Sequence, residues 1–125
     1  MDETHIPELS PLIKTATKYA EQILNKQGLR AGYWFNFMPP GSVTTSHRHD
    51  DDDELLSGVY YLDVPENSGN LVLQNKIASG KYESIKITPE EGLFVFFKPD
   101  VMHEVTENKS GQNRLSIGMN FGVPS

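Results

Sequence analysis

The chain has 125 residues, a formal net charge of −6 and no cysteine. That length fits one domain over residues 1–125, large enough to bury a core without disulfide or zinc staples. The missing thiols exclude disulfides, thiolate metal sites and cysteine nucleophiles together. The acidic balance disfavours nucleic acid, whose affinity comes largely from lysine and arginine displacing counterions, but not a basic partner or cationic substrate. No apolar stretch approaches the roughly 20 residues that cross a bilayer, and Met1-Asp-Glu-Thr4 lacks the basic and apolar regions of a secretory signal. The expectation is a cytoplasmic protein with no nucleic-acid or membrane partner.

In chain order, Ser10-Pro11 reads as a helix opening, since the serine hydroxyl accepts from free backbone N–H groups and proline at the first helical position loses no bond. Leu12, Ile13, Ala16, Tyr19, Ala20, Ile23 and Leu24 follow at helical spacing, and Gly28 supplies a left-handed stop, which predicts one amphipathic helix at about 11–27. From Gly32 the period changes. Short β-branched or aromatic runs occupy 33–38, 55–62, 70–74, 82–87, 92–97, 103–106 and 114–121, separated by turn chemistry such as Pro39-Pro-Gly41, Ala78-Ser-Gly80 and Asn108-Lys-Ser-Gly111. Seven or eight strands at that rhythm predict a mainly β fold, an antiparallel sandwich or jelly roll over about 32–121 with the helix packed outside. Trp34, Phe37 and Phe94 read as core aromatics or as residues lining the cavity mouth, with core the favoured reading, and 75–81 as a loop.

The chemistry-bearing residues concentrate in two places. His47-Arg-His49-Asp-Asp51 runs into an acidic tract ending at Glu54, and His103 opens a later strand. An acidic tract is by default a solvated loop, and His5, in an unpatterned segment, reads as solvated too. A metal site of two imidazoles and one carboxylate needs two neighbouring ligands that project the same way and a third from elsewhere. Side chains at i and i+2 of an extended segment share a face, so His47 with His49, or His49 with Asp51, meets the local requirement and His103 supplies the distant member. The favoured set is His49, Asp51 and His103, because imidazole plus carboxylate gives a neutralised Fe(II) site, with His47 as the alternate third ligand.

Arg114 comes 11 residues after His103 (114 − 103 = 11) and reads as lying alongside the histidine strand, as in a hairpin. Its planar fork suits a carboxylate. Ser116 shares its face and adds a hydroxyl donor, while Leu115, Ile117, Met119 and Phe121 alternate against them as a buried face.

At these residues the sequence resembles the Fe(II)- and 2-oxoglutarate-dependent dioxygenases. It is most similar to short 2-oxoglutarate–iron oxygenases with an HxH or HxD element, then SGVYYL, then P-x-x-G, H-x-V and R-x-S. Here those read His47-Arg-His-Asp-Asp51, Ser57-Gly-Val-Tyr-Tyr-Leu62, Pro89-Glu-Glu-Gly92, His103-Glu-Val105 and Arg114-Leu-Ser116, over about 32–121. The resemblance implies a double-stranded β-helix and two bound groups, Fe(II) at the open end of the barrel and 2-oxoglutarate chelating it. It also implies hydroxylation of a substrate by O2 with release of succinate and carbon dioxide. By position in the motifs, Tyr61 looks like the tyrosine that bonds the far carboxylate of 2-oxoglutarate, Arg114 like its ionic partner, and Leu71 like an apolar residue packed on the co-substrate. Ser57 opens the same motif and joins the co-substrate residues. Extra acidic residues separate the histidine element from Ser57-Gly58, so alignment from the left selects His47 and His49, and from the right His49 and Asp51.

Two other readings compete. A non-catalytic cupin-like metal or ligand-binding module would keep the barrel and turn nothing over, and an assembly protein would use the acidic loop for docking; a homodimer is compatible with all three. No Ser/His/Asp set with a nucleophile elbow is present, which makes hydrolase readings poor.

Overall fold

The computed structural model describes residues 9–47, 54–99 and 101–123; the side chains of residues 9, 45–47 and 75–77 are outside that description. Helix α1 spans Leu9–Leu24. Eight strands follow among the described residues: β1 Arg30–Met38, β2 Thr44–His47, β3 Glu54–Asp63, β4 Leu71–Ala78, β5 Lys81–Ile87, β6 Phe94–Phe97, β7 Met102–Val105 and β8 Arg114–Gly122.

The helix ends earlier than the glycine spacing predicts. Asn25 takes the left-handed conformation, with φ 53°, directly after Leu24. The Lys26 amide donates to the Glu21 carbonyl at 3.1 Å and the Asn25 amide to that of Gln22 at 3.4 Å, which closes the last turn. Asparagine tolerates this conformation well enough to stand in for glycine. Gly28, with φ 73°, serves the exit loop instead, and the Glu21 carboxylate accepts from its amide at 2.7 Å. Ser10 is already helical rather than a cap, and Pro11 stays within the first turn, where its missing N–H has no helical partner to lose.

The strands form two four-stranded sheets with orders β1-β8-β3-β6 and β2-β7-β4-β5, and every pairing is antiparallel. This is the mainly β, double-stranded β-helix arrangement expected. Two details differ from the expectation. The 75–81 segment continues β4 to Ala78 and turns tightly through Gly80, with φ 74°, so it is a hairpin and not a long loop. More important, β7 and β8 do not pair: β7 lies between β2 and β4 in one sheet and β8 between β1 and β3 in the other. The connection between them crosses the sandwich, so His103 and Arg114 face each other from opposite walls.

Two apolar clusters hold the layers. Ile13, Ala16 and Ala20 of α1 pack on Leu56, Ile117, Met119 and Phe121, which covers the outer face of the β8 sheet. Ala16 and Ala20 are wholly buried, and their small side chains let the helix backbone approach the sheet. Tyr19 edges onto Phe94 with ring centroids 5.6 Å apart. Between the sheets, Leu71, Leu73 and Phe97 are joined by Val59, Val95 and Val105. The described part of the chain has no helix long and apolar enough to cross a membrane.

Candidate active site

The period-two geometry of β8 sorts its residues onto two faces. Leu115, Ile117, Met119 and Phe121 point toward the helix side, whereas Arg114, Ser116 and Gly118 face the space between the sheets. On β3 the same alternation turns Ser57, Val59 and Tyr61 inward, and Tyr61 lies opposite Ser116 in register. Across the sandwich, Thr44, Leu71, His103 and Val105 close the far wall. The enclosed cavity has a volume of about 90 Å³.

Arg114 is the largest fully buried side chain of the molecule's described part, with 2% of its surface exposed. Its Nη1 donates to the Met38 sulfur at 3.1 Å, while Nε and Nη2 are buried with no hydrogen-bond partner. The guanidinium carbon lies 5.4 Å from the centre of the Tyr61 ring. The hydroxyls of Tyr61 and Ser57 are also buried and unpartnered. Each orphaned donor represents a desolvation penalty of about 1–3 kcal/mol, larger for charged groups, so four orphaned polar atoms on one cavity wall call for a ligand. Burial pushes the Tyr61 phenol above its ordinary value, against the pull of the Arg114 cation, so it remains a protonated donor. Burial likewise lowers Arg114, partly offset by Tyr61, and a guanidinium is not deprotonated in proteins, so the group stays cationic. The wall offers positive charge and hydroxyl donors, and a carboxylate supplies the acceptors they lack.

His103 is 8% exposed and packs against Phe97, with ring centroids 4.9 Å apart. Its Nδ1 lies 3.2 Å from the Val101 carbonyl. A carbonyl only accepts, so Nδ1 is the donor in this bond, and in the neutral ring that leaves Nε2 as the acceptor nitrogen, the tautomer that suits a metal ligand. On the neighbouring strand the backbone of His47 stands directly opposite that of His103. His49 and Asp51 lie outside the described residues.

The expected co-substrate residues Ser57, Tyr61, Leu71, Arg114 and Ser116 therefore line one cavity, together with His103. Sequence reasoning missed two neighbours and favoured the wrong one of two readings for a third. Met38, at the end of β1, accepts a hydrogen bond from Arg114 Nη1. Asn108 is wholly buried; its Nδ2 donates to the carbonyls of Met38 at 3.0 Å and Gln112 at 2.9 Å, and its Oδ1 accepts from the Ser110 amide at 3.0 Å. It ties the β7–β8 crossing to the end of β1, and the asparagine turn Asn108-Lys-Ser was the available signal. Trp34 is not core: it is 37% exposed, lines the cavity, and lies against Gly118, where an added Cβ would come within 2.3 Å of the indole. Phe37 is 60% exposed, and of the three aromatics read as core only Phe94 packs beneath the helix.

A larger, open groove of about 800 Å³ runs along the loops at 64–70, 86–89 and 106–109. Its charged residues Glu66, Lys86, Glu107 and Lys109 are solvent-exposed and of both signs, and its buried unpartnered atom is the neutral Ser68 hydroxyl, so no buried charge there demands a ligand as Arg114 does.

A family model described as "Putative 2OG-Fe(II) oxygenase" matches residues 32–120. The chain belongs to this oxygenase family. Its fold is shared with a prolyl-4-hydroxylase from Pseudomonas putida, at 27% identity and a TM-score of 0.67 over 84% of this chain and 58% of that one. A 2OG-Fe(II) oxygenase-family oxidoreductase from Burkholderia pseudomallei gives 16% identity and a TM-score of 0.73 over 85% and 49%. EvdO2 from Micromonospora carbonacea var. aurantiaca, complexed with 2-oxoglutarate, gives 17% and 0.71 over 98% and 65%. This chain thus spans less than two thirds of the length of each of these structures. No curated protein matches it.

Proposed function

We propose that the protein is an Fe(II)- and 2-oxoglutarate-dependent dioxygenase that hydroxylates its substrate. The observation carrying this reading is the buried, half-satisfied guanidinium of Arg114 beside the unpartnered hydroxyls of Tyr61 and Ser57, in a cavity that also holds His103. In this reading Arg114 grips the C5 carboxylate of 2-oxoglutarate through Nε and Nη2 in a charge-assisted fork. Tyr61 and Ser57 add neutral donors, Ser116 a further hydroxyl, and Leu71 an apolar wall against the methylenes. His103 offers Nε2 to the metal. His49 and Asp51 complete the favoured ligand set; the position of His47 opposite His103 supports it as the alternate third ligand. When bound, the iron and co-substrate supply the oxidative chemistry, with O2 as oxidant and succinate and carbon dioxide as products. The chain's own share is to orient the dicarboxylate, to keep the Tyr61 proton on its oxygen and to exclude water with the apolar walls of Val59, Leu71 and Phe97.

The same reading treats residues 1–125 as one domain working in the cytoplasm, alone or as a homodimer, on a substrate that is neither nucleic acid nor membrane. Anaerobic titration of Fe(II) and 2-oxoglutarate into the protein tests it. A visible charge-transfer band should grow in, and air should then convert 2-oxoglutarate into succinate. Absence of both overturns the reading. Iron bound without any 2-oxoglutarate-dependent succinate would identify a binding module instead. Separate His47→Ala and Asp51→Ala variants distinguish the third ligand by loss of the band.

A further inference from the structure

The buried guanidinium of Arg114 is held on one edge by a thioether. Its Nη1 lies 3.1 Å from the Met38 sulfur, and Thr44 Oγ1 lies 3.8 Å from the same atom. Met38 is 5% exposed and lines the cavity with His103. The Asn108 amide, donating to its carbonyl at 3.0 Å, fixes its backbone. A thioether is neutral and accepts only weakly. It therefore steadies one edge of the fork while leaving the positive charge for an incoming anion. An oxygen acceptor at the same point would do the opposite.

We propose that Met38 is a site of oxidative modification that closes the co-substrate cradle, an inference that rests on the oxygenase reading above. The oxidant is hydrogen peroxide, a by-product of iron–oxygen chemistry. The sulfur lone pair attacks one peroxide oxygen, the O–O bond breaks as an S–O bond forms, and the proton on the transferred oxygen passes to the departing oxygen, which leaves as water. Sulfur loses two electrons and the peroxide gains them. The sulfoxide oxygen is a strong, partly negative acceptor set within reach of Nη1. It competes with the carboxylate for the guanidinium and takes space from a cavity of about 90 Å³. The other described methionines are placed differently: Met119 also borders the cavity but is 1% exposed and packed in the cluster beneath the helix, and Met102 is half-buried beside His103 on β7; neither touches Arg114 by a hydrogen bond as Met38 does. Sulfoxide formation at either leaves the Arg114 contact intact.

The test treats the purified full chain with hydrogen peroxide, removes the excess and maps oxygen addition by peptide mass spectrometry. The protein, loaded with Mn(II) as a redox-quiet metal, is then titrated with 2-oxoglutarate. Trp34, the single tryptophan of the chain, lines the same cavity, and its fluorescence reports occupancy. Oxygen addition at Met38 should raise the apparent Kd for 2-oxoglutarate by about tenfold or more, the scale of one compromised charge-assisted hydrogen bond. Methionine sulfoxide reductase should restore the original value, which damage to the fold would not allow. Met38→Leu, compared with itself before and after peroxide, should show no change. The proposal is overturned if Met38 stays unoxidised while Met102 is modified, if the Met38 sulfoxide binds 2-oxoglutarate unchanged, or if Met38→Leu loses as much affinity on treatment as the wild type. Failure of the untreated protein to bind 2-oxoglutarate is a different result, which overturns the oxygenase reading itself.

Discussion

The two faces of β8 are equally buried and chemically opposite. On the outer face Ile117, Met119 and Phe121 are at most 1% exposed and meet only apolar partners under the helix. On the inner face, one residue away in each case, Arg114 and Ser116 are equally buried, and Arg114 keeps two unpartnered nitrogens. The outer face stabilises the fold without help. The inner face carries a desolvated cation that the folded chain alone compensates poorly, so its stability belongs to the ligand-bound state.

That contrast can be broken from either side. Phe121→Ala should have the largest effect on folding, a loss of about 3–5 kcal/mol in denaturant unfolding, with the 2-oxoglutarate affinity of the folded fraction unchanged. Arg114→Met should do the reverse. Its affinity for 2-oxoglutarate should fall by roughly a hundredfold or more, since a charged hydrogen-bond donor carries about 1.5–3 kcal/mol and the fork has two free. Its unliganded stability should hold or rise. Burial lowers the Arg114 pKa from its ordinary value, which means that keeping it charged at neutral pH works against the fold.

Smaller changes sharpen the comparison. Tyr61→Phe removes one orphaned donor and should weaken 2-oxoglutarate by about tenfold, without loss of stability before ligand is added. Gly118→Ala would drive a methyl into the Trp34 indole and should shift its emission while leaving the outer face undisturbed. The smallest effect expected is that of pH. Burial raises Tyr61 above its ordinary value of 10.0, so the hydroxyl stays a donor across the neutral and mildly alkaline range. Affinity of the metal-loaded protein for 2-oxoglutarate should change less than about twofold between roughly pH 7 and 9. The stability contributed by the protonated phenol is complete below 10 and is lost only as pH rises through the raised folded value. A steep fall near neutrality in a titration followed by Trp34 fluorescence would assign the donor role elsewhere.

Much of this was legible in the residues. Alternation along β8 is a local property, so the shared face of Arg114 and Ser116 followed from period two, whereas Ser57 and Tyr61 were marked by the family motif they sit in. Which strands neighbour each other is not local. The short 103–114 connection read as a hairpin, whereas the chain crosses between sheets there, anchored by Asn108 to the end of β1. Met38 carried no chemical signal in the sequence, because a methionine at a strand end normally means core, and its contact to Arg114 spans 76 residues. Trp34 misled for a related reason: its ring finds room over Gly118 on the next strand, a pairing that only the register reveals. The helix end was misplaced because Asn25 and Gly28 compete for one conformational role and asparagine comes first.

Thermal unfolding of the wild type and Arg114→Met, each with Mn(II) and with or without 2-oxoglutarate, tests the central claim most directly. Without the dicarboxylate the variant should unfold at the same temperature as the wild type or higher. With it, the wild type alone should gain, because a ligand stabilises only the state that binds it. Equal gains in both proteins, or a variant already less stable before any ligand is added, would show that Arg114 is part of the fold's own support and not the anchor of an anionic co-substrate.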